Sequence, residues 1–338
     1  MQTFLITFIV FLVTVSFFIF WASTGTNLKL DSEQPFINQA SKEDFDKSIT
    51  IGSWNIAWGY GMGSEGVNYA PKDKEHFLKA LDDIVSVISS KDCDIVLLQE
   101  VDFGSRKSHG VDQLKYLADE LGMNYAYAPS WKVNYLPFPY WPISSHFGRV
   151  YSGGAILSKY PIEKNRVVLH PKPKSNPWHY NLFYLSRYTQ IVDVKIKNKT
   201  WSIFNNHLEA FAKKNRVIQA KEMVKFAKEE SDLLVLGGDL NTTPTVASKK
   251  GSFPGYEEDD YENDPTYSII AGIDGIKDAL STEEYLKDES RWFSFSSVRA
   301  DRKLDYIFVN EMATVEEFEV LKVPVSDHYP LFAKIRLN

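Results

Sequence analysis

Residues 4–22 are apolar at every position except Thr7, Thr14 and Ser16, and no charged side chain precedes Lys29. As a helix, such a run reaches about 28 Å at about 1.5 Å per residue, close to the thickness of a bilayer hydrocarbon core. The pattern predicts an N-terminal membrane anchor over residues 1–22. A cleaved signal peptide is the rival reading. Against it, Met1-Gln2 carries no basic side chain, the apolar run is long, and Ala22-Ser23-Thr24 is only a passable cleavage site. A buried core helix ranks below both. Lys29 is answered by Asp31 and Glu33, so charge says little about orientation. The default for an N-terminal segment puts the remainder outside the cytoplasm, or secretes it if the segment is cleaved. Residues 23–47 are polar with few core anchors and read as a tether, which leaves one folded unit over 48–338.

Within that unit, short apolar runs alternate with amphipathic stretches. Residues 49–56 read as a strand, followed by a turn rich in glycine (Gly59, Gly61, Gly63, Gly66). Phe77, Leu81, Ile84 and Ile88 recur at helical spacing, as do Val217, Ala220, Val224 and Ala227. Residues 112–121 form another predicted helix. Buried-strand patterns occupy 94–101, 153–157, 233–236, 304–309 and 331–335. Residues 188–196 and 201–206 pair as a predicted hairpin around Asn198. Strands outnumber helices and several are joined by hairpins, so a purely parallel doubly wound sheet is excluded in favour of two packed mixed sheets flanked by helices.

Composition narrows the function classes. The 338 residues carry 38 basic and 44 acidic side chains, a net charge of −6, which argues against a basic protein that coats nucleic acid without specificity. A single cysteine, Cys93, rules out an intrachain disulfide and a cysteine-cluster zinc site.

Candidate chemistry gathers at the predicted strand ends. Asn55 follows one strand, Glu100 ends another, and Asp239-Leu240-Asn241 follows a third through two glycines. Asp327-His328 precede the last strand. In an extended segment Asp239 and Asn241 share a face. Hard oxygen donors of this kind, together with Glu100, suit a Mg²⁺-like ion better than zinc, and no histidines show the H-E-x-x-H spacing. Singly, Asn55 and the Gly-Asp-Leu-Asn exit are explained as turn-stabilising residues. Glu100 is harder to explain that way, because a carboxylate ending a buried strand needs a partner or a cation.

The ordered set Ser53-Trp54-Asn55-Ile56, Leu98-Gln99-Glu100-Val101, Gly153-Gly154-Ala155-Ile156-Leu157-Ser158-Lys159-Tyr160-Pro161, Asn206-His207-Leu208, Gly238-Asp239-Leu240-Asn241, Leu304-Asp305-Tyr306-Ile307 and Ser326-Asp327-His328-Tyr329-Pro330 resembles the motif series of the endonuclease/exonuclease/phosphatase superfamily. That superfamily includes pancreatic-type deoxyribonucleases, abasic-site endonucleases, neutral sphingomyelinases and inositol-polyphosphate 5-phosphatases. The resemblance implies a four-layer α/β sandwich and metal-dependent hydrolysis of a phosphate ester with Mg²⁺ or Mn²⁺. It implies Glu100 as main metal ligand, with Asn55 and Asp327 on the metal side. Asp239 would orient or deprotonate the attacking water and Asn241 would bind a phosphoryl oxygen. His328, with Asp305 as its carboxylate partner, would stabilise or protonate the phosphoryl group, and His207 would be a second histidine on the phosphate, its carboxylate partner unassigned.

Substrate is less legible. Residues 131–147 hold six aromatics (Trp131, Tyr135, Phe138, Tyr140, Trp141, Phe147) among prolines 137, 139 and 142, and a second cluster comprises Trp178, Tyr180, Phe183, Tyr184 and Tyr188. A stiff cover over a sheet edge is the plain reading, ahead of a lipid-interface wedge or a stacking platform. Trp131, Trp141, Arg149 and Arg187 are the candidate substrate contacts. The acidic run 256–262 reads as a solvated loop that would repel a polyanion from a nearby cleft. The expected activity is a membrane-proximal phosphodiesterase acting on a phospholipid head group. A nuclease acting on DNA or RNA is the alternative, and a tethered non-catalytic binding module a further one; no obligate protein partner is inferred.

Overall fold

Fourteen strands and seven α-helices make up the chain in a computed structural model that describes residues 1–24, 28–40, 48–62, 67, 69–230 and 232–337. The strands are β1 (Asp31–Glu33), β2 (Phe36–Ile37), β3 (Ser48–Asn55), β4 (Ile95–Asp102), β5 (Asn124–Leu136), β6 (Gly148–Ser158), β7 (Ile162–Leu169), β8 (Tyr188–Ile196), β9 (Lys199–His207), β10 (Leu233–Asp239), β11 (Ile276–Asp278), β12 (Asp305–Asn310), β13 (Thr314–Val320) and β14 (Leu331–Arg336). The helices are α1 (Gln2–Ser23), α2 (Lys74–Ser90), α3 (Gln113–Leu121), α4 (Trp178–Asn181), α5 (Lys213–Glu229), α6 (Thr266–Ala271) and α7 (Thr282–Lys287).

Two seven-stranded sheets result, in the orders β13-β14-β3-β4-β6-β5-β2 and β1-β7-β8-β9-β10-β12-β11. Each holds one parallel pair, β3 with β4 and β9 with β10, and is otherwise antiparallel. The mixed character predicted from the sequence is therefore present, and so is the β8–β9 hairpin, whose register closes at Ile196 opposite Lys199. Between the sheets lies an apolar core that includes Ile51, Leu97, Ile156, Val192, Leu234 and Ile307. Helices α2 and α3 cover the outer face of the first sheet through Leu81, Ile84, Leu114 and Leu117. Helices α5 and α6 cover the second through Ala220, Met223 and Ile270, completing four layers.

Local chemistry accounts for the helices. Asp73 and Asp112 cap α2 and α3 by accepting from the N–H groups of His76 and Lys115, and Gly122 in the left-handed region ends α3. In α5 the buried stripe is Arg216, Ala220, Met223 and Ala227 rather than the predicted Val217, Ala220, Val224 and Ala227. The face is rotated because Arg216 turns inward to pair with Asp264 and to donate to the Glu209 and Ala210 carbonyls.

Three sequence expectations change. The stretch read as a tether supplies β1 to the edge of one sheet and β2 to the edge of the other, with Arg166 forking onto Asp31. Backbone pairing at an open sheet edge needs little apolar content, so composition did not reveal it. The acidic run is not simply solvated: Asp259 pairs with buried Arg302, Asp260 with Lys213, and Tyr261 is buried. The first aromatic cluster begins inside β5, a strand concealed by Pro129 and a bulge beside it. Gly63 and Gly66 of the predicted turn lie outside the described residues.

Helix α1 is long and apolar enough to cross a membrane by length and composition, and almost all of it is exposed. Its C-terminal end meets the sandwich, where the Asn134 amide donates to the Trp21 carbonyl at 2.8 Å and Phe18 meets Tyr135.

Candidate active site

Strand register assembles the centre of the site. His207 ends β9, Asp239 ends β10 and Asp305 begins β12, and Asp239 stands opposite His207 on one side and Asp305 on the other. Neighbouring strands lie about 4.8 Å apart, so paired residues on one face form a row. Gly238 makes this possible: its φ is +121°, and a Cβ there would lie 2.1 Å from the Asn206 carbonyl oxygen. The first sheet faces this row with Asn55, at the end of β3, and Glu100, near the end of β4, where the backbone adopts a φ of +55°. Beneath Glu100, Gln99 spans the two sheets by donating to Asn205 at 2.8 Å, and Asn205 donates to the Leu98 and Ala155 carbonyls. This buried polar staple fixes one sheet against the other directly under the site.

Asp239 is the hub. It is 2 % exposed; its Oδ2 accepts from the Asn55 amide at 3.1 Å and lies 3.4 Å from His207 Nε2 and 3.7 Å from His328 Nε2. Its Oδ1 accepts from the Asn241 backbone N–H. Asn241 is in the left-handed region, and its side-chain amide donates to the Leu208 carbonyl at 3.0 Å. His328 Nδ1 pairs with Asp305 Oδ2 at 2.8 Å, and Ser294 Oγ donates to the same oxygen at 2.6 Å. The Trp54 indole N–H donates to the His328 carbonyl, and Ser326 Oγ to the Asn55 carbonyl, tying the segment before β14 to the end of β3.

Neighbours set the charges. Burial, then the adjacent Asp327 carboxylate, push Glu100 up to about 7. Burial, reinforced by Asp305, raises Asp239 to about 6 against the pull of the His328 and Arg187 cations. Burial also raises Asp327. For His328, burial opposes the charged form, but the Asp305 and Asp239 carboxylates outweigh it and hold the imidazole up to about 10. His207 has the opposite fate: burial, then the Arg187 and His328 cations, keep it well below the ordinary histidine value.

Of the residues singled out in the sequence, Asn55, Glu100, Arg187, His207, Asp239, Asn241, Asp305, Asp327 and His328 converge here. Arg187 Nη1 contacts His207 Nε2, and its Nε lies 3.8 Å from Glu209. Three residues do not join them. Trp131 is buried in β5, with its indole N–H on the Phe183 carbonyl at 2.8 Å and its ring against Trp58, so it is a packing residue and not a stacking platform. Arg149 is exposed and donates to the Gly104 carbonyl. Trp141 projects from the β5–β6 loop, 77 % exposed.

Sequence reading missed Glu209 and Ser294, and placed Tyr184 only in an aromatic cluster. Glu209 accepts from the Tyr184 hydroxyl and faces Arg187. Its signal was available, since it stands two residues after His207. It also missed the carboxylates around His207, which are Asp239 at 3.4 Å and Glu100 at 4.0 Å.

Two donor sets could hold a cation. Ligand atoms of Asp239, Asp305 and His328 lie within 4.8 Å of one another. Glu100, whose carboxyl is raised in part by repulsion from the nearby Asp327 carboxylate, is the centre of a second, oxygen-only set with Asp327 and with Asn55, whose Oδ1 also accepts from the Ala57 N–H. A divalent cation relieves that repulsion, so this set fits one.

A four-layer sandwich with a buried row of acids and histidines at its strand ends is the architecture these features define. The model of the endonuclease/exonuclease/phosphatase family matches residues 52–328. The chain belongs to that family. No curated protein matches it. Among solved structures it is similar to an endonuclease/exonuclease/phosphatase from Beutenbergia cavernae, with 21% identity, 86% of this chain and 72% of that one covered, and a TM-score of 0.58. A mannosyl-6-phosphatase from Bacteroides thetaiotaomicron is 19% identical over 85% of this chain and 99% of that one, with a TM-score of 0.55. TDP2 from D. rerio, complexed with a single-strand DNA product, is 15% identical over 86% of this chain and 100% of that one, with a TM-score of 0.56.

Proposed function

We propose that the chain is a divalent-metal-dependent phosphoesterase that cleaves a phosphodiester by in-line attack of water, with a phospholipid head group as substrate. The observation that carries this reading is the position of Asp239, a carboxylate held between two histidines and fixed by the Asn55 amide. Asp239 Oδ2 accepts a hydrogen bond from the attacking water and takes its proton. His328, kept cationic by Asp305, donates from Nε2 toward a non-bridging phosphoryl oxygen where negative charge accumulates. Neutral His207 accepts from Arg187 at Nε2 and is oriented by it, and the second amide hydrogen of Asn241 adds a donor. Glu100, Asp327 and Asn55 would hold Mg²⁺ or Mn²⁺, and the bound cation supplies charge neutralisation at the phosphoryl group. Asp239, Asp305 and His328 are the less suitable set, because Nδ1 of His328 is already engaged and its ring stays protonated.

Nucleic acid is the second reading, favoured by the likeness to TDP2. Against it stands the acidic loop: Tyr256 packs on Phe295, Phe295 packs on His328, and exposed Glu257 and Glu258 follow directly. A loop tied to His328 through these rings thus carries exposed carboxylates that disfavour a polyanion.

The test uses the full chain, since β1 and β2 belong to the sheets. It should hydrolyse bis-p-nitrophenyl phosphate with Mg²⁺ or Mn²⁺ and stop with EDTA. Wild-type turnover no faster than that of Asp239→Ala and His328→Ala would remove the enzyme reading. Sphingomyelin, phosphoinositides, plasmid DNA and RNA assayed at matched metal then separate the substrate classes, and faster cleavage of nucleic acid would overturn the lipid reading.

A further inference from the structure

The loop 137–147 joins β5 to β6 and contains no Asp, Glu, Lys or Arg. Three of its apolar side chains nevertheless point to solvent: Tyr140, Trp141 and Ile143 are exposed, the last by 63 %. An exposed loop of this composition calls for a partner, and Trp and Tyr are the residues enriched at membrane interfaces.

Its place in the fold indicates which partner. Asn134, three residues before the loop, is the residue whose amide holds the Trp21 carbonyl and also meets Thr24 Oγ1. Tyr135 carries both the Phe18 ring at 5.9 Å and, through its hydroxyl, His146 at the far end of the loop. The last turn of α1 and the base of the loop are therefore one packed unit. A helix leaving a bilayer at Trp21 sets Asn134 at the level of the head groups, and Trp141 lies only a few residues further on.

The loop also sits at the catalytic end of the sandwich. β6 runs antiparallel to β4, with Ser152 opposite Asp102, so Gly148 and the loop before it extend past the end of β4 that carries Glu100. Phe138 reaches inward through Tyr69 and Phe147 to Tyr60. Glu100 and Asp327 lie close enough to Tyr69 to help burial raise its phenol. On the other sheet Trp178 is exposed, and Tyr180, which senses Tyr140, packs on Tyr184 beside Glu209 and Arg187. Aromatic residues thus border the catalytic cluster on both sheets.

We infer that this uncharged aromatic rim, built on loop 137–147 and Trp178, docks into the head-group layer of the bilayer that α1 enters, so that the catalytic cluster opens onto the membrane surface. The inference rests on α1 being a membrane anchor and names the surface from which a lipid-borne phosphate reaches the site.

Cys93 is buried, so a single introduced cysteine can be labelled selectively. The full chain carrying Trp141→Cys, and separately Ile143→Cys, is spin-labelled and reconstituted into phosphatidylcholine vesicles. Met312→Cys, exposed at the far end of β12 from Asp305, is the control. After flotation, accessibility to lipid-soluble oxygen is compared with accessibility to a water-soluble nickel chelate. The ratio should be severalfold higher at 141 and 143 than at 312. Floating chains whose labels at 141 and 143 are as water-accessible as at 312 would overturn the docking while the anchor stands. Chains that fail to float would overturn both.

Discussion

Two buried histidines face the same carboxylate from opposite sides, yet their surroundings give them opposite charges. Around His328 stand Asp305 at 2.8 Å and Asp239 at 3.7 Å, and the ring is held up to about 10. Around His207, Asp239 is nearer at 3.4 Å, but the Arg187 guanidinium lies against Nε2 and the ring is held well below its ordinary value. Both rings are buried, so burial alone cannot separate them. The guanidinium against His207 and the directly hydrogen-bonded Asp305 at His328 do, and they yield one cationic and one neutral ring in a single buried cluster.

The most damaging break in that contrast is Asp305→Asn. It removes the anion that sustains the His328 charge, and phosphodiester turnover should fall roughly 10²–10³-fold, the range for a lost donor to developing negative charge. ¹⁵N NMR of the imidazole should show His328 becoming neutral at a lower pH than in wild type; an unchanged titration would separate Asp305 from the histidine charge.

Arg187→Gln acts on the other side and more mildly. Losing one charge-assisted hydrogen bond costs about 1.5–3 kcal/mol, or roughly ten- to a hundredfold in turnover. His207 should then take up a proton closer to the ordinary histidine range. Retained neutrality would mean that burial by itself accounts for His207.

The smallest effect is on the pH dependence of stability, where the two histidines have opposite signs. The folded-state value of His328 lies above the ordinary 6.5, so its contribution is full below 6.5 and is lost as pH rises toward about 10. The value of His207 is lowered, so the unfolded chain binds the extra proton and stability declines as pH falls below 6.5. Urea unfolding of His207→Gln should show a flatter acid limb than wild type, with the alkaline limb unchanged. A flattened alkaline limb would reverse the assignment.

Much of this architecture was legible along the chain because local patterns suffice where neighbours in sequence are neighbours in space. Helix α2 carries its own cap and apolar stripe, the β8–β9 hairpin needs only a short turn, and Asn55, Glu100, Asp239 and His328 stand at or just beyond strand ends that apolar runs already mark. Edge strands β1 and β2 escaped notice because their pairing is made by backbone groups of any composition. The inward turn of Arg216 escaped because its partner, Asp264, lies far along the chain.

The sequence by itself determined the residue types at the site, the two mixed sheets, and the apolar segment ahead of them. Tertiary structure alone decided that Trp131 is core while Trp141 is exposed, that α1 ends against the base of the aromatic loop, and that His328 is charged while His207 is not. Each of those outcomes depends on contacts between residues distant in sequence, and both the energy of a buried charge and the exposure of a ring are properties of what surrounds them in space.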